Sequence, residues 1–215
     1  MIKAIVFDFD GVLVESADIK TQAFRKLFSS YPDQVDEMVR YHLAHMGISR
    51  FQKFRHFYEN ILKSEYTPEM GQALGERFSC LVYEEVLKAP FVKGAAELLE
   101  RHHREYLMFI ASGTPQQELA DIVRARGLEG YFRGIWGSPR LKAEILTGIL
   151  AGYGLCRKEV VFVGDAETDM QAAIDAGTHF IARLSCMESP LAGERYKVAD
   201  MERLINTISA LDSQE

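Results

Sequence analysis

Four short, nearly continuous apolar runs constrain this chain more than any other feature: Ala4 to Phe7, Tyr106 to Ile110, Val160 to Val163 and Phe180 to Ala182. A strand with one face in water alternates apolar and polar residues. A run without alternation is covered on both faces, as in a parallel sheet between helical layers. Between these runs the apolar spacing is helical, first at Leu119, Ile122 and Val123, then at Leu141, Ile145 and Ile149 with Leu146 and Leu150. Strand and helix alternate, which predicts an α/β fold with a doubly wound parallel sheet.

One stretch departs from the alternation. From Ser16 to Lys88 there is helical periodicity and no strand-like run. Ile19, Ala23 and Leu27 recur at four-residue steps; Phe51, Phe54, Tyr58, Ile61 and Leu62 share one face; Leu74, Phe78, Leu81 and Val82 share another. Turn signals at Tyr31-Pro32-Asp33, Met46-Gly47 and Thr67-Pro68 separate three or four helices, and Ala89-Pro90 marks the return to the core. The expected organisation is an α/β core of residues 1–15 and 89–215 carrying an all-helical cap of residues 16–88.

Composition narrows the function. The 215 residues include 31 acidic and 25 basic side chains, a net charge of -6, with no dense Lys/Arg tract to follow a nucleic-acid backbone. No nucleic acid is expected as a partner. No apolar run reaches membrane-helix length, and the first run meets Asp8 and Asp10 too soon for a signal peptide. Cys80, Cys156 and Cys186 have no paired spacing, so reduced thiols and a cytoplasmic location are expected.

The chemistry-bearing residues sit at strand exits and helix starts. Asp8 and Asp10 follow the first strand two residues apart, a spacing that in extended chain puts both carboxylates on one side. Close carboxylates repel and call for a cation, a shared proton or water; a turn or helix-cap acid pair is the plainer alternative. Ser112-Gly113-Thr114 ends a second strand just before a helix, where free amides and a hydroxyl bind anions or where the hydroxyl is a simple cap. Asp165 and Asp169 follow a third strand and read as an acid site or as a loop and cap. Lys142 lies in the first turn of a helix, against the dipole, unless it faces anions. Strand-end sites of an open α/β sheet converge at its carboxyl edge, where such folds bind ligands.

With these motifs in this order, the chain resembles the haloacid dehalogenase-like hydrolase superfamily, in particular its phosphoglycolate phosphatase and β-phosphoglucomutase branch with a Rossmann-like core and helical cap. The resemblance covers nearly the whole chain and rests on Asp8, Asp10, Ser112, Lys142, Asp165 and Asp169. It implies a magnesium-dependent phosphohydrolase acting on a small phosphorylated metabolite, with Asp8 as nucleophile and Asp10 as general acid and base. Asp8, the Asp10 carbonyl and Asp165 would hold Mg²⁺, with Asp169 ligating through water or orienting Lys142. Ser112, Gly113 and Lys142 would bind the transferred phosphoryl group. Asp10 argues against haloacid dehalogenases and phosphonoacetaldehyde hydrolases, which resemble this chain but lack that acid.

In the β-phosphoglucomutases a turn similar to Gly47-Ile48-Ser49-Arg50 carries an Arg that binds the substrate's distal phosphate, so Arg50 is either a substrate contact or a solvated residue. Lys20 falls where those mutases carry a His, and is either a substrate contact or a solvated Lys. That departure favours a phosphatase over a sugar phosphomutase; a non-catalytic binding protein on the same fold is the third alternative. Surface positions are expected for His42, His45, His102 and His103, and core positions for Trp136, Phe51, Phe54 and Phe57. The expected assembly is a monomer or weak homodimer.

Overall fold

The computed structural model describes residues 1–185 and 189–213. Six parallel strands form one sheet: β1 Ala4–Phe7, β2 Leu107–Pro115, β3 Gly134–Ser138, β4 Val160–Gly164, β5 His179–Arg183 and β6 Lys197–Val198. Their order is β3-β2-β1-β4-β5-β6, so the chain builds outward on one side of β1 and then restarts on the other. The strand order reverses beside β1, where open α/β sheets form their ligand crevice.

Both faces of the sheet are covered, which is why its strands lack alternation. Ile5, Phe7, Met108, Ile110, Val161 and Val163 pack on α5 (Ala95–His102), α6 (Gln116–Ala125) and α9 (Leu204–Asp212). Ala4, Val6, Phe109, Ala111, Val160 and Phe162 face α7 (Lys142–Tyr153) and α8 (Glu167–Ala176). Two strands escape the sequence reading. β3 contains Gly134 and Gly137 and β6 spans two residues; both lie at sheet edges, with no long apolar run to mark them.

Between β1 and the core helices lie α1 (Ala17–Leu27), α2 (Val35–Ala44), α3 (Arg50–His56) with a π-helical turn Phe57–Ile61, and α4 (Pro68–Lys88). Phe24, Phe28, Phe54, Phe57 and Phe78 are fully buried among these helices, each worth roughly 1.5–3 kcal/mol of burial. The start of α4 is fixed by Thr67, whose hydroxyl accepts from Met70 N at 3.3 Å, with Pro68 in the first turn. Its end is held from the core, where Arg126 Nη1 donates to the carbonyls of Val86, Leu87 and Ala89 at 2.8–2.9 Å.

Several expectations need correction. His42 is buried, not at the surface, because it closes the space between α1 and α3. Phe51 is 39% exposed, while Phe54 and Phe57 are core as expected. Trp136 stacks on Phe109 at 5.9 Å. Cys80 and Cys156 are free and exposed; Cys186 lies outside the described residues. Among the described residues no helix is long and apolar enough to cross a membrane.

Candidate active site

The carboxyl ends of β1, β2 and β4 meet the starts of α7 and α8 and gather the acidic residues of the sequence reading. Asp8 continues the line of β1, its amide bonded to Val163 O at 2.9 Å. Its Oδ1 accepts from Phe9 N at 2.6 Å and its Oδ2 from Lys142 Nζ at 2.8 Å. Lys142 also reaches Asp169 Oδ1 at 2.5 Å, so one buried amine bridges residues 27 and 134 positions away. A first-turn cation, which opposes the helix dipole, is here stabilised by the two carboxylates it faces.

The simple-cap reading of the Ser112 loop fails, because α6 has Pro115 as its N-cap and no side-chain cap bond. Ser112 instead lies inside β2, buried, with its Oγ accepting from Thr114 N at 3.2 Å. Asp169 does serve as a cap, with Oδ2 accepting from Ala166 N at 3.2 Å, and holds Lys142 through its other oxygen.

Asp10 points to a different set of partners. Oδ1 accepts from Ser16 Oγ at 2.6 Å, while Oδ2 accepts from Thr114 Oγ1 at 3.0 Å and is ion-paired with Lys20. Lys20 also reaches Thr114 Oγ1 at 2.8 Å. The solvated reading of Lys20 is therefore wrong: its side chain is 18% exposed and tied to Asp10, a partner that the sequence reading did not name.

These environments separate the carboxylates. Burial raises Asp8 to about 6, with Lys142 opposing and Asp169 and Asp10 adding to the rise. Asp165 is pushed well above the usual carboxylate range by burial and by Asp8 and Asp169. Burial also acts upward on Asp10, but Lys20, Ser16 and Thr114 outweigh it and hold the group low. Lys142 is raised because Asp169 and Asp8 overcome its burial. Carboxylate oxygens of Asp8, Asp165 and Asp169 lie within 4.8 Å of one another. An all-oxygen donor set in which Asp8 and Asp165 resist ionising together fits a hard divalent cation.

Arg50 is not solvated, and its charge already has a partner. Although it lines the cavity above Asp8, it is 5% exposed and its guanidinium is held by Glu118 on α6 and by Ser79 Oγ at 2.9 Å. Lys53, which the sequence reading passed over, and His42, which it put at the surface, line the same cavity, with His42 Nδ1 2.8 Å from Lys53 Nζ. The spacing of Arg50 and Lys53 at i,i+3 puts both on one helix face, and that was the available signal. The turn Met46-Gly47 also touches the sheet edge. Thr168 Oγ1 donates to Met46 O at 2.5 Å, and Gly47 has φ +84°, with room for no Cβ beside Thr168 and Lys142.

A model of the haloacid dehalogenase-like hydrolase family matches residues 5–183. The chain belongs to that family. As a haloacid dehalogenase-like hydrolase it is an enzyme, and the strand-end acids form its candidate active site. Among curated proteins it is 25% identical over 181 residues to the phosphorylated carbohydrates phosphatase of Thermotoga maritima, covering 81% of this chain and 82% of the relative. It is also 25% identical over 186 residues to the phosphoglycolate phosphatase of Pasteurella multocida, with the same coverage of 81% and 82%. Among solved structures, a haloacid dehalogenase-like hydrolase of Streptococcus pneumoniae superposes with a TM-score of 0.70 at 19% identity, over 100% of this chain and 99% of that one. CbbY of Rhodobacter sphaeroides, in complex with phosphate, gives 0.71 at 20% identity over 93% and 95%. Both share the fold.

Proposed function

We propose that this hydrolase is a phosphoric monoester hydrolase that cleaves small phosphorylated metabolites by passing the phosphoryl group to Asp8 and then to water, with Mg²⁺ as its cofactor. The observation that carries the reading is the bridge from Lys142 to Asp8 and Asp169 beside Asp165. It leaves Asp8 Oδ1 at the mouth of β1 with a cation already fixed beside it. The curated relatives' phosphatase names agree with this assignment.

Asp8, Asp165 and the Asp10 carbonyl would hold the metal, which supplies positive charge against the repulsion of acids and phosphate. Asp169 would act chiefly on Lys142, since both its oxygens already accept hydrogen bonds. Ser112, the Gly113 amide and Lys142 would hold the phosphoryl oxygens where charge collects in transfer. Asp8 attacks phosphorus, giving an aspartyl phosphate and splitting the displacement in two.

Asp10 handles the proton. In the resting site it is a carboxylate held low by Lys20; an arriving phosphate pushes it the other way. Having taken up a proton from solvent as the phosphate binds, it gives that proton to the departing oxygen and later takes one from the attacking water. Helices α1 to α4 would form a cap of residues 16–88 over the site, excluding water when closed.

A phosphate-release screen over phosphorylated metabolites tests the reading. Release is expected with magnesium, none in excess EDTA, and recovery on adding magnesium back. Calcium should substitute poorly, its larger and looser shell misplacing the nucleophile. Turnover in excess EDTA would refute the metal assignment. Transfer of the phosphoryl group to a sugar without phosphate release would indicate a mutase.

A further inference from the structure

The roof of the cavity holds a basic side chain that, among the described residues, no carboxylate is paired with. Lys20, Arg50 and Lys53 all line it. Lys20 is paired with Asp10 and Arg50 with Glu118. Lys53 is only 3% exposed, yet among the described residues its amine has as partners only the His42 ring nitrogen at 2.8 Å and the face of Phe24, 5.6 Å from the centroid. The second His42 nitrogen is 3.2 Å from Thr21 Oγ1. With Nδ1 accepting from Lys53, Nε2–H donates to Thr21, and the imidazole stays neutral. Burial of an ammonium group without a counter-ion is unfavourable; buried lysines are nearly always paired. The cavity that Lys53 lines is open to a partner of opposite charge.

We propose that Lys53 is the specificity-determining residue of this site, selecting a small phosphomonoester whose organic part carries a second anion, a carboxylate or a further phosphate. The inference rests on the phosphatase reading and extends it to the far end of the substrate. Arg50, the cation that the sequence offered for this task, already has its carboxylate. Phe24 and Phe78 beside Lys53 leave a narrow cavity of about 50 Å³, room for roughly four water molecules, which suits a short carbon skeleton. Burial first, then the charges of Lys20 and Lys142, bring Lys53 down to about 7, with Asp10 opposing. An anion drawn to the amine restores its charge, so binding takes up a proton near neutral pH.

Matched substrates test this with magnesium present. 2-Phosphoglycolate is compared with 2-hydroxyethyl phosphate, and 1,3-propanediol bisphosphate with 3-hydroxypropyl phosphate; the two pairs separate a carboxylate from a second phosphate. The wild-type enzyme should favour the doubly anionic member of at least one pair by tenfold or more in kcat/KM. Lys53→Met should erase the preference through KM, and Lys53→Arg should restore part of it. No preference in either pair, or a preference that survives in Lys53→Met, would overturn the proposal. If no ester releases phosphate, p-nitrophenyl phosphate included, the phosphatase reading falls and binding decides the role of Lys53. Calorimetry with uncleavable 3-phosphonopropionate and propylphosphonate, at pH 8 in two buffers of different ionisation enthalpy, should then show tighter binding and extra proton uptake for the acid. Both should vanish in Lys53→Met; equal affinities in the wild type would overturn the assignment.

Discussion

Arg50 on α3 and Glu118 on α6 form a nearly buried ion pair, with Arg50 Nη1 3.0 Å from Glu118 Oε2 and 2.9 Å from Ser79 Oγ. Their side chains are 5% and 10% exposed. The pair therefore ties the helical segment after β1 to the sheet-bearing part of the chain. Arg50→Ala leaves Glu118 buried without its cation, a change that typically destabilises by about 3 kcal/mol or more. Turnover of every ester, artificial ones included, should fall together, since α3 also carries Lys53 and adjoins the Gly47 turn. Denaturant midpoints and kinetics on two esters of different size would check this. A loss confined to the larger ester would make Arg50 a substrate contact after all.

Gly113 gives a steric test of the same junction. A Cβ there would lie 2.5 Å from Gly47 O and 3.2 Å from Ile48 O, distances that backbone atoms cannot accept without moving. Gly113→Ala should push the Gly47 turn off the sheet edge and reduce kcat/KM by at least tenfold. The core should fold unchanged, because the clash is with the turn alone. Circular dichroism with phosphate-release kinetics separates the two effects. Full activity in this variant would mean that the turn need not touch β2 during catalysis.

How far the sequence reaches is visible in these same residues. Asp8, Asp10, Ser112, Lys142, Asp165 and Asp169 were legible because the sheet rule places strand ends and helix starts together, and backbone order alone decides that. Arg50 and Lys53 were harder. The partner of Arg50 lies 68 residues away on α6, and nothing local says whether a helix-start Arg finds a carboxylate or water. His42 was misjudged for a related reason: its helix supplies Met38, Val39 and His42 to the buried side, and a polar ring on that side is tolerable only because Lys53 and Thr21 meet it. The edge strands β3 and β6 were missed because their residues carry little apolar signal.

The two acids that follow β1, Asp8 and Asp10, should differ when made neutral. Asp8→Asn should remove turnover almost entirely, since no other group is placed to accept the phosphoryl. Asp10→Asn should slow it by roughly 10² to 10⁴, the scale of a lost general acid or base, and should harm least the esters whose leaving groups need no proton. Comparing p-nitrophenyl phosphate with an alkyl phosphate reads this directly. Equal losses on both would take Asp10 out of proton transfer.

Lys53 also predicts a pH-dependent gain in stability when it is removed. Its folded pKa of about 7 lies below the ordinary 10.5, so the fold disfavours the charged amine. Above about 10.5 the amine is neutral in both folded and unfolded chains and no penalty exists. As pH falls toward 7 the unfolded chain takes up the proton first, and stability is lost at about 1.4 kcal/mol per pH unit. Below 7 the penalty is complete. Lys53→Met keeps the stem's volume and deletes the charge, so the ligand-free variant should melt above the wild type at pH 7, by a margin that shrinks steadily toward pH 9.5. Lys20, Lys142, Asp10 and His42 face the same amine. His42 is held far below its ordinary 6.5 by burial, Lys53 and Lys20, so above pH 7 it is neutral with or without Lys53 and the difference between the two proteins isolates the lysine. Thermal melts of both across that range decide it: a margin that does not change with pH would mean that the amine is already charged in the fold, and that the missing counter-ion is supplied within the protein.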